Sequence, residues 1–294
     1  MTSPREDTPE PWQSTVSEKK PNEALALVPS DELLKSLQNS EKVQKVVREG
    51  ILLAAGAAAI LLQVAMPGVA KGVDNHSSFA YRPLHRLRTT LTFVYCVAFG
   101  TTEEKKRIIT MVNRAHAEVR GPDYSADDPE LQTWVAATLY ASGIYIYEAV
   151  YGTIEPFHAD QIYQEFSVLA VALRVPREMW PKNRKAFWKY WNKTVAKLKI
   201  TPHARQIADD LLYNRHLFFP LRMTLPIVRL MTAQMLPDRI REGYGLKTGR
   251  FRRTFYKTTM VGARIAYPVI PQFIRTIPMK FYMRDMRHRL QNMA

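Results

Sequence analysis

The residues able to do chemistry in this chain are one histidine on an apolar helical stripe and a small polar set upstream of it. His116 follows Ile108, Ile109, Val112 and Ala115 at helical spacing, and the small Ala115 and Ala117 beside it leave room for something flat. A histidine on such a stripe is either a hydrogen-bonded core residue or a ligand. Arg86, Thr89 and Thr90 stand at i, i+3 and i+4, so they share one helical face. That face either holds an anionic ligand or is the wet side of the helix. His76 lies in Val73-Asp74-Asn75-His76-Ser77-Ser78, a polar stretch where a histidine is ordinarily solvated. One inward imidazole, one or two arginines and several threonines fit a haem pocket: an axial ligand, cations for the propionates and weak donors on the open side.

Other chemistries lack their residues. There is no G-x-S-x-G, no glycine-rich phosphate loop, no H-E-x-x-H and no paired-cysteine motif. None of the seven histidines stands four residues from another, so no helix-borne two-histidine metal site is signalled. The single cysteine, Cys96, excludes an intrachain disulfide and reads as a buried small hydrophobe within Phe93-Val94-Tyr95-Cys96-Val97-Ala98-Phe99.

The elements that must carry these residues are helices, and the fold class expected is all-α, one multi-helix domain over 29–294 with a central haem pocket. Residues 1–28, with Pro4, Pro9, Pro11 and Pro21 among polar residues, read as a disordered tail without a secretory signal. Ser30 before Asp31-Glu32 opens a helix. The apolar run Ile51–Met66 is cut short by Gln63 and Pro67-Gly68, which favours a buried core helix over a membrane span. Pro67–Arg82, with two glycines and several polar residues, reads as a loop or broken helix.

Thr101-Thr102-Glu103-Glu104 has capping-box spacing and opens a helix that Gly121-Pro122 stops; Asn113 falls on its polar side. Asp128-Pro129-Glu130 starts another, which carries the aromatic ladder Tyr140, Tyr145, Tyr147 and Tyr151 as packing. His158 reads as a surface or capping residue at a helix start. Lys182–Lys199 is helical, Thr201-Pro202 opens an amphipathic helix, and Pro220, Pro226, Pro237, Pro268, Pro271 and Pro278 break the remainder into short helices.

Charge is lopsided within the net +15. Residues 1–173 hold 16 Lys and Arg against 21 Asp and Glu, whereas residues 174–294 hold 26 against 6. Such a block attracts anionic lipid headgroups or the acidic side of its own fold. Nucleic acid is not expected as a partner, because no nucleic-acid motif interrupts the basic half.

Longer motifs carry a resemblance. Arg48-Glu49-Gly50, the run Gln63–Ser77, Arg86-Leu87-Arg88-Thr89-Thr90, His116-Ala117-Glu118-Val119-Arg120-Gly121, Asp127–Val135 and Leu236–Leu246 together resemble the MpaB and latex-clearing-protein (rubber oxygenase) family over about residues 46 to 290. The resemblance implies an all-helical fold that binds haem b and uses dioxygen to cleave carbon–carbon double bonds in isoprenoid chains. It makes His116 the proximal iron ligand, puts Arg86 and Thr90 at the haem pocket, and places His76 in a His-Ser motif of unassigned role. Thr89 stands where rubber-cleaving members carry a distal lysine, and Ala136 where many relatives carry a histidine. The expected activity is a haem-dependent oxygenase or other haem oxidoreductase on a hydrophobic, isoprenoid-like substrate. The expected location is intracellular, cytoplasmic or peripheral on an anionic membrane. The alternative is a non-catalytic peripheral lipid-binding protein that retained the fold.

Overall fold

Capping decides where most helices begin. The computed structural model describes residues 27–38, 40–76 and 83–292; residues 1–26, which hold most of the expected tail, lie outside them. Ser30 Oγ accepts from the Leu33 amide and opens α1 (Asp31–Ser36), and α2 (Glu41–Val47) follows. A 3-10 turn over Gly50–Ala55 leads into α3 (Gly56–Val64) and then α4 (Pro67–His76). α5 (Pro83–Phe99) and α6 (Thr102–Glu118) come next. The Thr101 hydroxyl and Glu104 carboxylate satisfy each other's backbone amides, the reciprocal cap that the spacing predicts.

Asp128 caps α7 (Pro129–Tyr151), and Glu155 caps α8 (Pro156–Ala172) by accepting from the amides of Phe157 and the exposed His158. α9 (Arg184–Lys197) and α10 (Pro202–Leu212) open on Asn183 and Thr201. The chain closes with α11 (Phe219–Met235), α12 (Asp238–Gly243), α13 (Arg250–Ala266), α14 (Gln272–Arg275) and α15 (Ile277–Asn292). The fold is all-α, as expected. The strands among the described residues are two-residue pieces, β1 (Arg120–Gly121) and β2 (Tyr124–Ser125), paired antiparallel.

Three expectations are corrected. Pro67–His76 is helical, because Pro67 at a helix start forfeits no hydrogen bond and the glycines serve packing instead of turning. A Cβ on Gly68 would run into the Leu131 side chain, and one on Gly72 would meet Val119 and Tyr124. The C-terminal prolines fragment the chain only in part: Pro237, Pro268 and Pro271 fall between helices, but Pro220, Pro226 and Pro278 lie within long ones. Pro220 occupies the first turn of α11, and Pro226, inside that helix, lies on its exposed face, where water can satisfy the carbonyl it leaves unpaired. Asn113 is buried, not on a wet face: its amide donates to the Leu27 carbonyl at 3.1 Å. Lys105 is buried likewise, donating to Leu37 O at 2.8 Å, and burial lowers the pKa of its ammonium.

α7 is the central post. Trp134, fully buried, donates its indole N–H to Leu62 O at 2.9 Å, and Gln63 donates to Thr138 Oγ1 at 3.1 Å, so the thin, alanine-rich α3 lies close along it. Tyr140 meets Tyr163, Phe166 and Phe187 edge-on in an aromatic core. Cys96 is buried, and burial pushes its thiol up to about 12, which leaves it unreactive. Among the described residues no single helix is long and apolar enough to cross a membrane.

The ends of the chain meet on Glu49. Its side chain is 3% exposed and takes hydrogen bonds from Tyr151 Oη at 2.8 Å and from Arg275 Nη1 at 2.7 Å. Burial works against the charge on Arg275, and Glu49 and Tyr151 outweigh it, so its pKa is raised. Arg275→Ala, leaving this buried carboxylate only the more distant Arg48 guanidinium at 3.6 Å, is expected to cost up to about 3–5 kcal/mol in urea unfolding.

Two further carboxylates tie α15 down. Glu104 is held below the usual carboxylate range by the hydrogen bond from Arg287. Burial pushes the Asp285 carboxyl up, but Arg88 and Arg289 more than offset it and leave it lowered. Depressed native values mean that the unfolded chain binds more protons in acid. The stability these pairs supply is therefore complete above about pH 4.5 and lost as pH falls through the folded values. Glu104→Gln with Asp285→Asn should flatten the fall of the urea midpoint between about pH 5 and 3.

Candidate active site around His116

His116 lies in the last turn of α6, where the chain is about to turn away. The ring is half-buried. Its Nδ1 faces Gln132 Nε2 at 3.4 Å, and that same amide nitrogen donates to Ala126 O at 2.6 Å. Gln132 is itself buried in the first turns of α7, so the Nδ1 edge of the imidazole faces that helix. Sequence reasoning missed Gln132. Its signal was a glutamine four residues before the buried Ala136, on the core side of α7.

The segment after His116 forms a second polar knot. Tyr124 Oη accepts from Asn75 Nδ2 at 2.9 Å and meets His76 Nε2 at 3.2 Å, with the two rings edge-on. Lys71 pairs with Asp123, and Asp74 Oδ2 lies 2.5 Å from His203 Nδ1 on α10. α4 thus presents Lys71, Asp74, Asn75 and His76 to polar partners from two directions. The knot fastens α4 to the hairpin that follows α6. His76 is exposed and sits at the helix's end, where its contact with Tyr124 links α4 to the hairpin.

The remaining candidates are on α5, which packs against α6. Thr89 and Thr90 are both half-buried there. Arg86 belongs to the same helix, and its side chain lies outside the described residues. Arg88, between them, is committed to Asp285 by two hydrogen bonds of 2.8 and 2.7 Å. A cleft of about 320 Å³ lined by Lys42, Lys45, Tyr147, Tyr151 and His158 involves none of these residues.

Residues 43–265 match the model of a family described as "ER-bound oxygenase mpaB/B'/Rubber oxygenase, catalytic domain". The chain belongs to this oxygenase family. Matching 223 of 294 residues, the family domain takes in every element from α2 to nearly the end of α13, and with them His76, Arg86, Thr89, Thr90, His116 and Gln132. Two curated mycobacterial proteins, one from Mycobacterium bovis and one from Mycobacterium tuberculosis, both uncharacterized, are each 31% identical over 247 residues, covering 80% of this chain and 96% of their own. No solved structure matches the chain significantly.

Whether these residues suit a haem is a question of donor number. A bare ion takes three or four protein ligands, and among the described residues no group of three His, Cys, Asp or Glu is placed to supply them. A macrocycle brings four nitrogens of its own and asks the protein for an axial base, which one oriented imidazole supplies. The donor set fits on that count.

The hairpin that follows His116 depends on a missing side chain. A Cβ on Gly121 would overlap the Tyr124 ring. Gly121→Ala should cost about 1–3 kcal/mol in chemical denaturation and much less in a Tyr124→Ala background, since the clash is then gone.

Proposed function

We propose that this chain is a haem b-dependent oxygenase acting on a hydrophobic, isoprenoid-like substrate, with His116 as the axial ligand of the iron. The observation that carries it is the half-buried imidazole held along its Nδ1 edge by Gln132, inside a chain whose residues 43–265 match an oxygenase catalytic domain.

When bound, the haem iron supplies dioxygen activation for oxidative cleavage of a carbon–carbon double bond. The chain's own residues do the rest. His116 presents one ring nitrogen, and Gln132, fixed by the Ala126 carbonyl, sets the ring's rotation about its long axis. Arg86 is assigned to a propionate, and Thr89 and Thr90 to weak hydrogen bonding at the pocket wall. A threonine at position 89 carries a neutral hydroxyl where a lysine would carry a cation, so any charge it offered a bound haem would be smaller. His76 is assigned to holding the corner through Tyr124 and takes no part in the reaction.

Protein purified with added haem should show a Soret band that survives desalting, and His116→Ala should lose it. His76→Ala should keep it, with no more than about 1 kcal/mol lost in stability. Oxygen uptake on a polyisoprenoid reports the activity separately. A wild-type protein with no Soret band, or an unchanged band in His116→Ala, would remove the reading.

A further inference from the structure

The C-terminal third turns large apolar side chains outward in rows. On α11, Phe219, Met223 and Ile227 stand at i, i+4 and i+8, all exposed. On α13, Phe251 is 82% exposed and Ile265 71%, with Phe255 and Val261 on the same side. The opposite side of α13 is its buried one, carrying Tyr256 and Met260, so this helix has two apolar faces and only one of them reaches the core. Beyond it Val269, Phe273, Ile277 and Phe281 continue the exposed series. α11 and α13 pack side by side, which makes their outward rows neighbours.

Basic residues frame the rows. Residues 214–281 hold 13 Lys and Arg against two acids, Asp238 and Glu242, and Asp238 is taken by Arg241. Arg222, Arg250, Arg252, Arg253, Lys257 and Arg264 make no ion pair among the described residues. Arg222 lies 5.8 Å from the centroid of the Phe219 ring, and Phe251 and Phe255 stack at 6.5 Å.

A monomer seldom exposes an apolar surface of this kind without a partner for it. Like charges argue against a second copy, since a self-complementary contact would set one basic rim against the other. A phosphate backbone would meet the cations and leave Met223, Ile227, Val261 and Ile265 unburied. We infer that the face made by α11, α13 and the segment to Phe281 docks on an anionic lipid bilayer, its phenylalanines and aliphatic side chains entering the headgroup boundary and its arginines pairing with lipid phosphates and carboxylates. This is the geometry of a helix lying in an interface: apolar side chains at the tip, cations snorkelling beside them. The inference needs no cofactor, so it stands or falls separately from the haem.

Sedimentation with vesicles tests it. The full chain should pellet with vesicles of phosphatidylcholine and phosphatidylserine in equal parts, stay in solution with phosphatidylcholine alone, and be released by salt. Arg250→Glu with Lys257→Glu should weaken binding roughly thirty-fold or more, as two lost attractions near the surface imply. Phe251→Ser, Phe255→Ser and Ile265→Ser together should weaken it at least about ten-fold. Lys189→Glu with Lys193→Glu, the same charge change on the exposed side of α9, should leave it nearly unaltered. All of these side chains but Lys189 and Lys193 belong to the face, all are exposed, and circular dichroism should show the same fold throughout. No binding, binding that ignores lipid charge, or an equal loss in the α9 variant overturns the proposal. So does concentration-dependent dimerisation abolished by the phenylalanine changes, which would give the face to a second copy.

Discussion

A buried carboxylate organises this molecule. Glu49 sits at the junction between α2 and the 3-10 turn, and it is neutralised by an arginine 226 residues away and hydrogen-bonded by the last residue of α7. Charge in such a place is tolerated only with partners, and these two come from separate and distant parts of the chain. Once Arg275 and Tyr151 are in place, Tyr267 Oη can take the Ile51 amide at 3.0 Å, and the aromatic rings of Tyr151 and Tyr267 flank the guanidinium. The start of the apolar run at Ile51, the end of α7 and the approach to α15 are thereby fixed relative to one another.

From that junction the packing runs inward along α3 and α7. Small residues on α3 let it lie close to α7, and the Trp134 and Gln63 hydrogen bonds set the register between the two helices. α7 begins at the same end as Gln132, so the residue that orients His116 is placed by the central post of the fold and not by a loop. A side chain held this way keeps its geometry because the helix under it is packed on several sides. The corner around Tyr124 serves the same end from below, fastening α4 to the chain that leaves His116.

The basic half of the sequence divides into two uses. Arg275, Arg287 and Arg174 pair with Glu49, Glu104 and Asp127 of the acidic half, so part of the charge asymmetry is spent on closing the fold. Among the described residues the cations of α11 and α13 have no such partners and stand beside exposed aromatic and aliphatic side chains. An oxygenase for a substrate that partitions into lipid gains from a face that rests on lipid, and the proposed chemistry and the proposed surface agree in that respect.

The amino-acid sequence by itself determined what depends on neighbours within a turn or so. The caps at Ser30, Thr101, Asp128 and Thr201, the all-helical class, the buried Cys96 and the placing of His116 at a helix end all follow from spacings of one to four residues, where backbone and side chain meet regardless of the rest of the fold. Tertiary structure alone decided the role of residues whose partners are distant. Gly68 and Gly72 read as loop signals because glycine breaks isolated helices, yet helical packing against Leu131 and Val119 is what requires them. Asn113 read as wet because nothing nearby in sequence could satisfy it, while the carbonyl that does belongs to Leu27. Gln132 gained its role from a histidine 16 positions upstream, and Glu49 from an arginine near the far end of the chain. The outward rows of α11 and α13 were equally invisible: which apolar stripe of a helix turns to the core and which to solvent is settled only when the neighbouring helices take their places.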